Sequence, residues 1–197
     1  MKVMNETATT SLSDFDLLRI DLQESLRQGT VDPRQLSSLQ RILLSTDGTV
    51  TDILEAYLWE SIQIVKLYQD LIDTPTPVPY LEIGPNTRTL VRKVLLRGKY
   101  SHKNYIYAES IVVPDRLEER LREGLLHTKK PIGQLILETR LETFRDILSC
   151  RREPARDVAQ YFDVAPDSML ISRTYRVFAT RQPIMLITEK FPETEFK

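Results

Sequence analysis

The fold is decided by Leu90-Val91-Arg92-Lys93-Val94-Leu95-Leu96, the loop Gly98-Lys99-Tyr100-Ser101-His102-Lys103, and the run Tyr105-Ile106-Tyr107-Ala108-Glu109-Ser110-Ile111-Val112-Val113. The flanking runs favour extended backbone, and the loop between them predicts a hairpin over 88–97 and 104–113. Side chains on a strand alternate between faces. Arg92 therefore shares a face with Leu90, Val94 and Leu96. A second hairpin is predicted over 169–179 and 183–191, turning at Thr180-Arg181-Gln182-Pro183. In its second strand Glu189 shares a face with Met185, Ile187 and Phe191. A charge on an apolar face is costly unless it is paired or holds a ligand. One inward cation and one inward carboxylate point to a small closed site for a polar, anionic molecule. By the same parity Arg173 and Arg176 fall on opposite faces, and which of them looks inward stays open. Glu109 is either a second inward acid or a surface residue.

Around these hairpins the pattern is helical. Residues 13–28 begin with capping residues and carry Leu17, Leu18, Leu22 and Leu26 at helical spacing. Pro33 opens a helix running to about residue 44. Asp47-Gly48 marks a turn. Thr49 or Thr51 then caps a long helix over about 50–71, with Ile53, Leu54, Tyr57, Leu58, Ile62, Val65 and Tyr68 three or four residues apart. The prolines of Thr74-Pro75-Thr76-Pro77-Val78-Pro79 end it. Further helical turns are expected over 115–126, from Pro131-Ile132-Gly133 onward, and over 155–162. Helix and strand templates both fit 140–150. The expected architecture is α+β: residues 1–12 disordered, then one domain over 13–197, helical in 13–75 and strand-rich in 87–192. Its single antiparallel sheet is flanked by helices.

Among 197 residues there are 27 Lys+Arg against 28 Asp+Glu, a net charge of −1. That balance argues against a dedicated nucleic-acid surface. No apolar run approaches the ~18–20 residues that span a bilayer, so no membrane partner is expected. The single cysteine, Cys150, cannot form an intrachain disulfide, and Met1 to Ser13 lacks the apolar core of a secretory signal. A cytoplasmic setting and a monomer are the expectations. His102 and His127 are the only histidines, too few soft ligands for a zinc site. Cys150 with His127 is weighed as a nucleophile pair and set below a plain buried cysteine. No P-loop, G-x-S-x-G elbow, G-x-G-x-x-G or H-E-x-x-H occurs.

Six short pieces, in order, carry a resemblance. They are Leu43-Leu44-Ser45-Thr46-Asp47-Gly48-Thr49-Val50-Thr51; Val91-Arg92-Lys93-Val94-Leu95-Leu96; Tyr107-Ala108-Glu109-Ser110-Ile111-Val112-Val113-Pro114; Lys130-Pro131-Ile132-Gly133; Ser172-Arg173-Thr174-Tyr175-Arg176; and Pro183 through Pro192. With this order and spacing the chain resembles the chorismate pyruvate-lyase family, in particular its cyanobacterial and plastid-type branch. The resemblance implies conversion of chorismate to 4-hydroxybenzoate, a quinone precursor, and pyruvate, without metal or organic cofactor. It also implies helical flaps that close over a buried ligand. Arg92 matches the family's ligand-binding arginine and Glu189 its acid. Ile132, followed by Gly133, matches a flap contact, and a second flap contact falls at Thr49 or Val50. One departure is plain: Ser110 stands where the family's short branch has an arginine. Arg173, Arg176 and Lys93 are the candidates to replace it. The rival reading is a non-catalytic sensor of small aromatic acids, since the same fold serves as the effector-binding domain of bacterial regulators. Residues 1–75 offer no basic recognition helix for such a regulator.

Overall fold

The computed structural model describes residues 31–46, 49–128 and 130–197. The expectations for residues 1–12 and for a helix over 13–28 lie outside the described residues. Six strands form one antiparallel sheet: β1 (Ile62–Asp73), β2 (Arg88–Gly98), β3 (Asn104–Val112), β4 (Phe144–Pro154), β5 (Met169–Ala179) and β6 (Gln182–Pro192). Their order is β1-β2-β3-β6-β5-β4. Both expected hairpins are present, and their strands β3 and β6 meet in the centre of the sheet. The β5–β6 turn is tighter than the sequence suggests. Gln182 is already in the strand, and Thr180 and Arg181 take φ of 49° and 66°, the left-handed backbone of a two-residue hairpin.

The long helix expected over 50–71 is a correction. A helix forms only over Val50–Leu58. Trp59 then turns left-handed (φ 57°), and residues 62–73 form the edge strand β1. The Glu55 carboxylate accepts from the Ile62 N–H at 2.8 Å, which ties the helix end to the strand start. The proline segment therefore ends a strand, and the helical N-terminal part stops at Leu58. The helix expected from Pro33 is in two pieces, a 3-10 turn (Pro33–Gln35) and α1 (Ser38–Ser45). Ser37 and Gln40 form a reciprocal capping box that starts α1 after the turn. Val50–Leu58 is α2. Between β3 and β4 lie α3 (Glu119–His127) and α4 (Ile132–Thr139), and a short α5 (Ala159–Phe162) lies between β4 and β5. The ambiguous stretch 140–150 is mostly β4.

The main core sits between the inner face of the sheet and these helices. Leu43 and Leu54 from α1 and α2, Leu121 and Leu135 from α3 and α4, and Ile106 and Met185 from the sheet share one buried cluster. Phe196 seals its end against the rings of Tyr57, Tyr105 and Phe191. Fully burying side chains of this kind contributes roughly 1.5–3 kcal/mol each. The edge strands carry bulges, between Lys66 and Tyr68 in β1 and between Ile147 and Ser149 in β4.

Candidate active site

Inside this core the sheet turns a few charged and polar side chains inward. Arg92 on β2 is 2% exposed. Its Nε donates to Gln69 Oε1 on β1 at 3.1 Å, and no carboxylate among the described residues pairs with it. Burial alone pushes its guanidinium down to about 10, so it remains a cation at neutral pH. Glu189 on β6 is 8% exposed. Arg173 Nε donates to its Oε2 at 2.7 Å, and the Tyr175 hydroxyl donates to its Oε1 at 3.0 Å. Each carboxylate oxygen has two acceptor sites, so this carboxylate can still accept from a ligand.

The parity question over Arg173 and Arg176 is resolved by these bonds. Arg173 faces inward; Arg176 faces the other way and pairs with Asp146 at 2.8 Å. Burial is the largest single influence on Arg173 and lowers its affinity for its proton, but the charge of Glu189, the neighbouring Tyr175 and the hydrogen bond to Glu189 together outweigh it, and the net direction is upward. Arg173 Nη1 also donates to the Thr46 carbonyl at 2.9 Å, linking the ion pair to the segment before α2. Its Nη2 is buried without a hydrogen-bond partner. Burial, with the Glu189 charge, drives the Tyr175 hydroxyl far above its ordinary range. Tyr175 is therefore a fixed donor to Glu189, not a source of protons. Glu109 lies on the outer face, where it accepts from Tyr107 at 2.5 Å and pairs with Lys93 at 3.5 Å.

A cavity of about 80 Å³ lies over these groups. Arg92, Glu189, Thr49, Val50, Ile132 and Gly133 all line it. The six residues expected from sequence are thus brought together, Arg92 and Glu189 as its floor and the other four as its roof at the starts of α2 and α4. Gly133 allows the roof to close, because a Cβ there would stand 2.4 Å from Thr49 Cγ2. Ligand sites for small molecules usually hold ~300–1,000 Å³, so this cavity is small for one. Ser110 also lines the cavity. Of the three basic side chains weighed from sequence beside Ser110, Lys93 and Arg176 are on the outer face with Glu109 and Asp146, and Arg173 is committed to Glu189.

Sequence reasoning missed three polar groups, Gln69, Tyr175 and Arg145. Gln69 lay in a stretch read as helix, and Arg145 in one left undecided. Tyr175 sits in the quoted Ser172–Arg176 piece, and its parity with Arg173 was a usable signal. Cys150 is buried in β4, its thiol pushed up to about 11 by burial, which suits a core residue and not a nucleophile. His127 is exposed on α3 and contacts Glu123 at 3.2 Å.

Known proteins share both the sequence and the architecture. The family model "Chorismate pyruvate-lyase Rv2949c-like" matches residues 44–197. A chorismate pyruvate-lyase of Mycobacterium leprae is 31% identical over 171 residues, covering 83% of this chain and 79% of that protein. One from Mycobacterium tuberculosis is 27% identical over 169 residues, covering 83% and 84%. Among solved structures, the effector domain of PhnF from Mycobacterium smegmatis superposes with a TM-score of 0.60 at 9% identity, covering 76% of this chain and 91% of that one. That likeness concerns the fold alone. The family match spans every strand of the sheet and both roof segments, and on that basis the chain belongs to the Rv2949c-like chorismate pyruvate-lyase family.

Proposed function

We propose that this protein is a chorismate pyruvate-lyase that releases pyruvate from chorismate and leaves 4-hydroxybenzoate, a quinone precursor, without metal or organic cofactor. The observation that carries this reading is a buried cation, Arg92, with no carboxylate partner among the described residues, facing the same cavity as the paired carboxylate of Glu189. Arg92 holds the ring carboxylate with the planar fork of its guanidinium. Glu189, held still by Arg173 and Tyr175, accepts from the ring hydroxyl. The ring is thereby gripped at both ends. Elimination breaks the bond from the ring to the ether oxygen and the C–H bond beside it. The electron pair of that C–H bond becomes the last double bond of an aromatic ring. Enolpyruvate leaves, and the proton lost from that ring carbon is balanced by the one its methylene carbon takes up to become pyruvate. Aromatisation supplies the drive, so the chain has to orient the substrate and exclude water. Placement in the cyanobacterial and plastid-type branch follows the motifs quoted above, and placement in the cytoplasm follows the single cysteine and the polar Met1–Ser13 segment.

The test is direct. Purified protein is mixed with chorismate, with and without a chelator, and 4-hydroxybenzoate and pyruvate are measured separately. Equal formation of both, unaffected by the chelator, is expected. Saturable binding of 4-hydroxybenzoate with no turnover would replace this reading by the sensor.

A roof that closes on a product can also retain it. Gly133→Ala places a methyl group against Thr49 and keeps the roof ajar. Product affinity is expected to fall several-fold, and its dissociation in stopped-flow displacement to quicken. Unchanged dissociation would show that the contact between the starts of α2 and α4 does not gate release.

A further inference from the structure

Chorismate has two carboxylates, and Arg92 accounts for one. The other, on the enolpyruvyl group, departs with pyruvate and is absent from 4-hydroxybenzoate. A second cation is therefore required by the substrate and not by the product. Ser110 cannot supply it. The third arginine that the sheet turns inward is Arg145. It stands opposite Val177 in the β4–β5 register and lines the cavity together with Val177 and Tyr175. The Tyr175 hydroxyl, raised chiefly by burial, is pulled partly back by the charge of Arg145, which places that charge near the Glu189 end of the site. Arg145 also lines an outer cleft with Asp52 and Arg140, and this cleft shares Thr49 and Gly133 with the inner cavity. It thus stands at the neck between the two. β2 and β4 are four positions apart in the sheet, or roughly 19 Å on a flat sheet at ~4.8 Å per strand. Both arginine side chains line the one cavity that lies between those strands.

We propose that Arg145 binds the enolpyruvyl carboxylate, in place of the arginine that Ser110 displaces, and so selects the two-carboxylate substrate over its one-carboxylate product. This rests on the lyase reading. Arg145→Ala and Arg145→Lys are compared with the unaltered chain by calorimetry. The probes are 4-hydroxybenzoate and 3-(carboxymethoxy)-4-hydroxybenzoate, whose second carboxylate is on an ether arm. Chorismate turnover is measured in parallel.

Arg145→Ala is expected to weaken the dicarboxylate roughly 10–100-fold, the usual loss for a charge-assisted hydrogen bond. It leaves 4-hydroxybenzoate within about threefold, since that ligand offers no second carboxylate. Arg145→Lys recovers part of the dicarboxylate affinity, and the KM for chorismate follows the dicarboxylate. Equal weakening of both probes, or of neither, overturns the proposal. Probe binding needs no turnover, so selective loss in a chain that does not convert chorismate would sink the lyase reading and leave Arg145 as a carboxylate site. An unaltered chain that binds neither probe would sink both.

Discussion

Arg92→Met is expected to raise the melting temperature of the protein and, on the proposed lyase reading, to abolish binding of 4-hydroxybenzoate. The two effects have one cause. The folded state holds the Arg92 guanidinium down at about 10, well below its ordinary range, through burial. A base whose folded pKa is depressed destabilises the fold at every pH below that value, and the cost fades as pH rises from about 10 toward the ordinary guanidinium range. At neutral pH the difference corresponds to roughly 3 kcal/mol, at 1.36 kcal/mol per pKa unit. Methionine fills similar space without a charge, and part of that cost is recovered, as is common when a buried charge gives way to a hydrophobic residue. The ligand carboxylate, however, loses its counter-charge. Truncating one side of a buried charge pair costs ~2–5 kcal/mol of binding, or roughly 30- to several-thousand-fold in Kd. Thermal melts and calorimetry on the same samples check both halves. A stabilised variant that still binds product would remove Arg92 from the site.

Glu189→Ala is expected to act mainly on the fold. Arg173 has a side chain only 1% exposed, and the alanine leaves it buried without its partner. Breaking such a pair on one side costs ~3–5 kcal/mol, which for a chain of this size lowers the melting temperature by about 6–20 °C. Pairing it with Arg173→Met should restore much of the loss. Activity lost in Glu189→Ala therefore says little about chemistry. Glu189→Gln retains an acceptor for the ring hydroxyl and a group opposite Arg173, and is the variant on which turnover is read. A melting temperature within about 2 °C of the unaltered chain for Glu189→Ala would show that the ion pair holds nothing together.

Legibility from sequence followed burial. β2, β3 and β6 have strands on both sides and long apolar runs, so a lone charge on their inner face, such as Arg92 or Glu189, is conspicuous. β1 is an edge strand with Leu67 and Tyr68 exposed. Its alternation is broken, and the surviving apolar residues fall three or four apart, the spacing of a helix face. β4, the other edge, was ambiguous for the same reason. Arg173 was visible as a charge but its direction was not, because the parity of its own strand offers two answers. The structure chooses through a contact between residues 16 positions apart, Arg173 and Glu189. The roof residues Thr49, Val50, Ile132 and Gly133 carry no chemistry of their own, and only the family resemblance picked them out.

The bulges at the two edges have a consequence for how such a site can change. In β1 the inward residues are even-numbered before the bulge, Ile62 and Ile64, and odd-numbered after it, Gln69 and Leu71. In β4 they are odd-numbered first, Arg145 and Ile147, and then even-numbered at Cys150. Each edge is in effect two short strands spliced in opposite reading frames. Removing the extra residue, Leu67 or Leu148, would join the two halves in one unbroken alternation. Gln69 would stay opposite Arg92 and Arg145 would keep its face, while the four central strands kept their pairing. An edge of this sheet can thus take up or give back one residue as a bulge without exchanging its ligand-facing side chains, so the site is buffered against changes in strand length that would invert a regular strand.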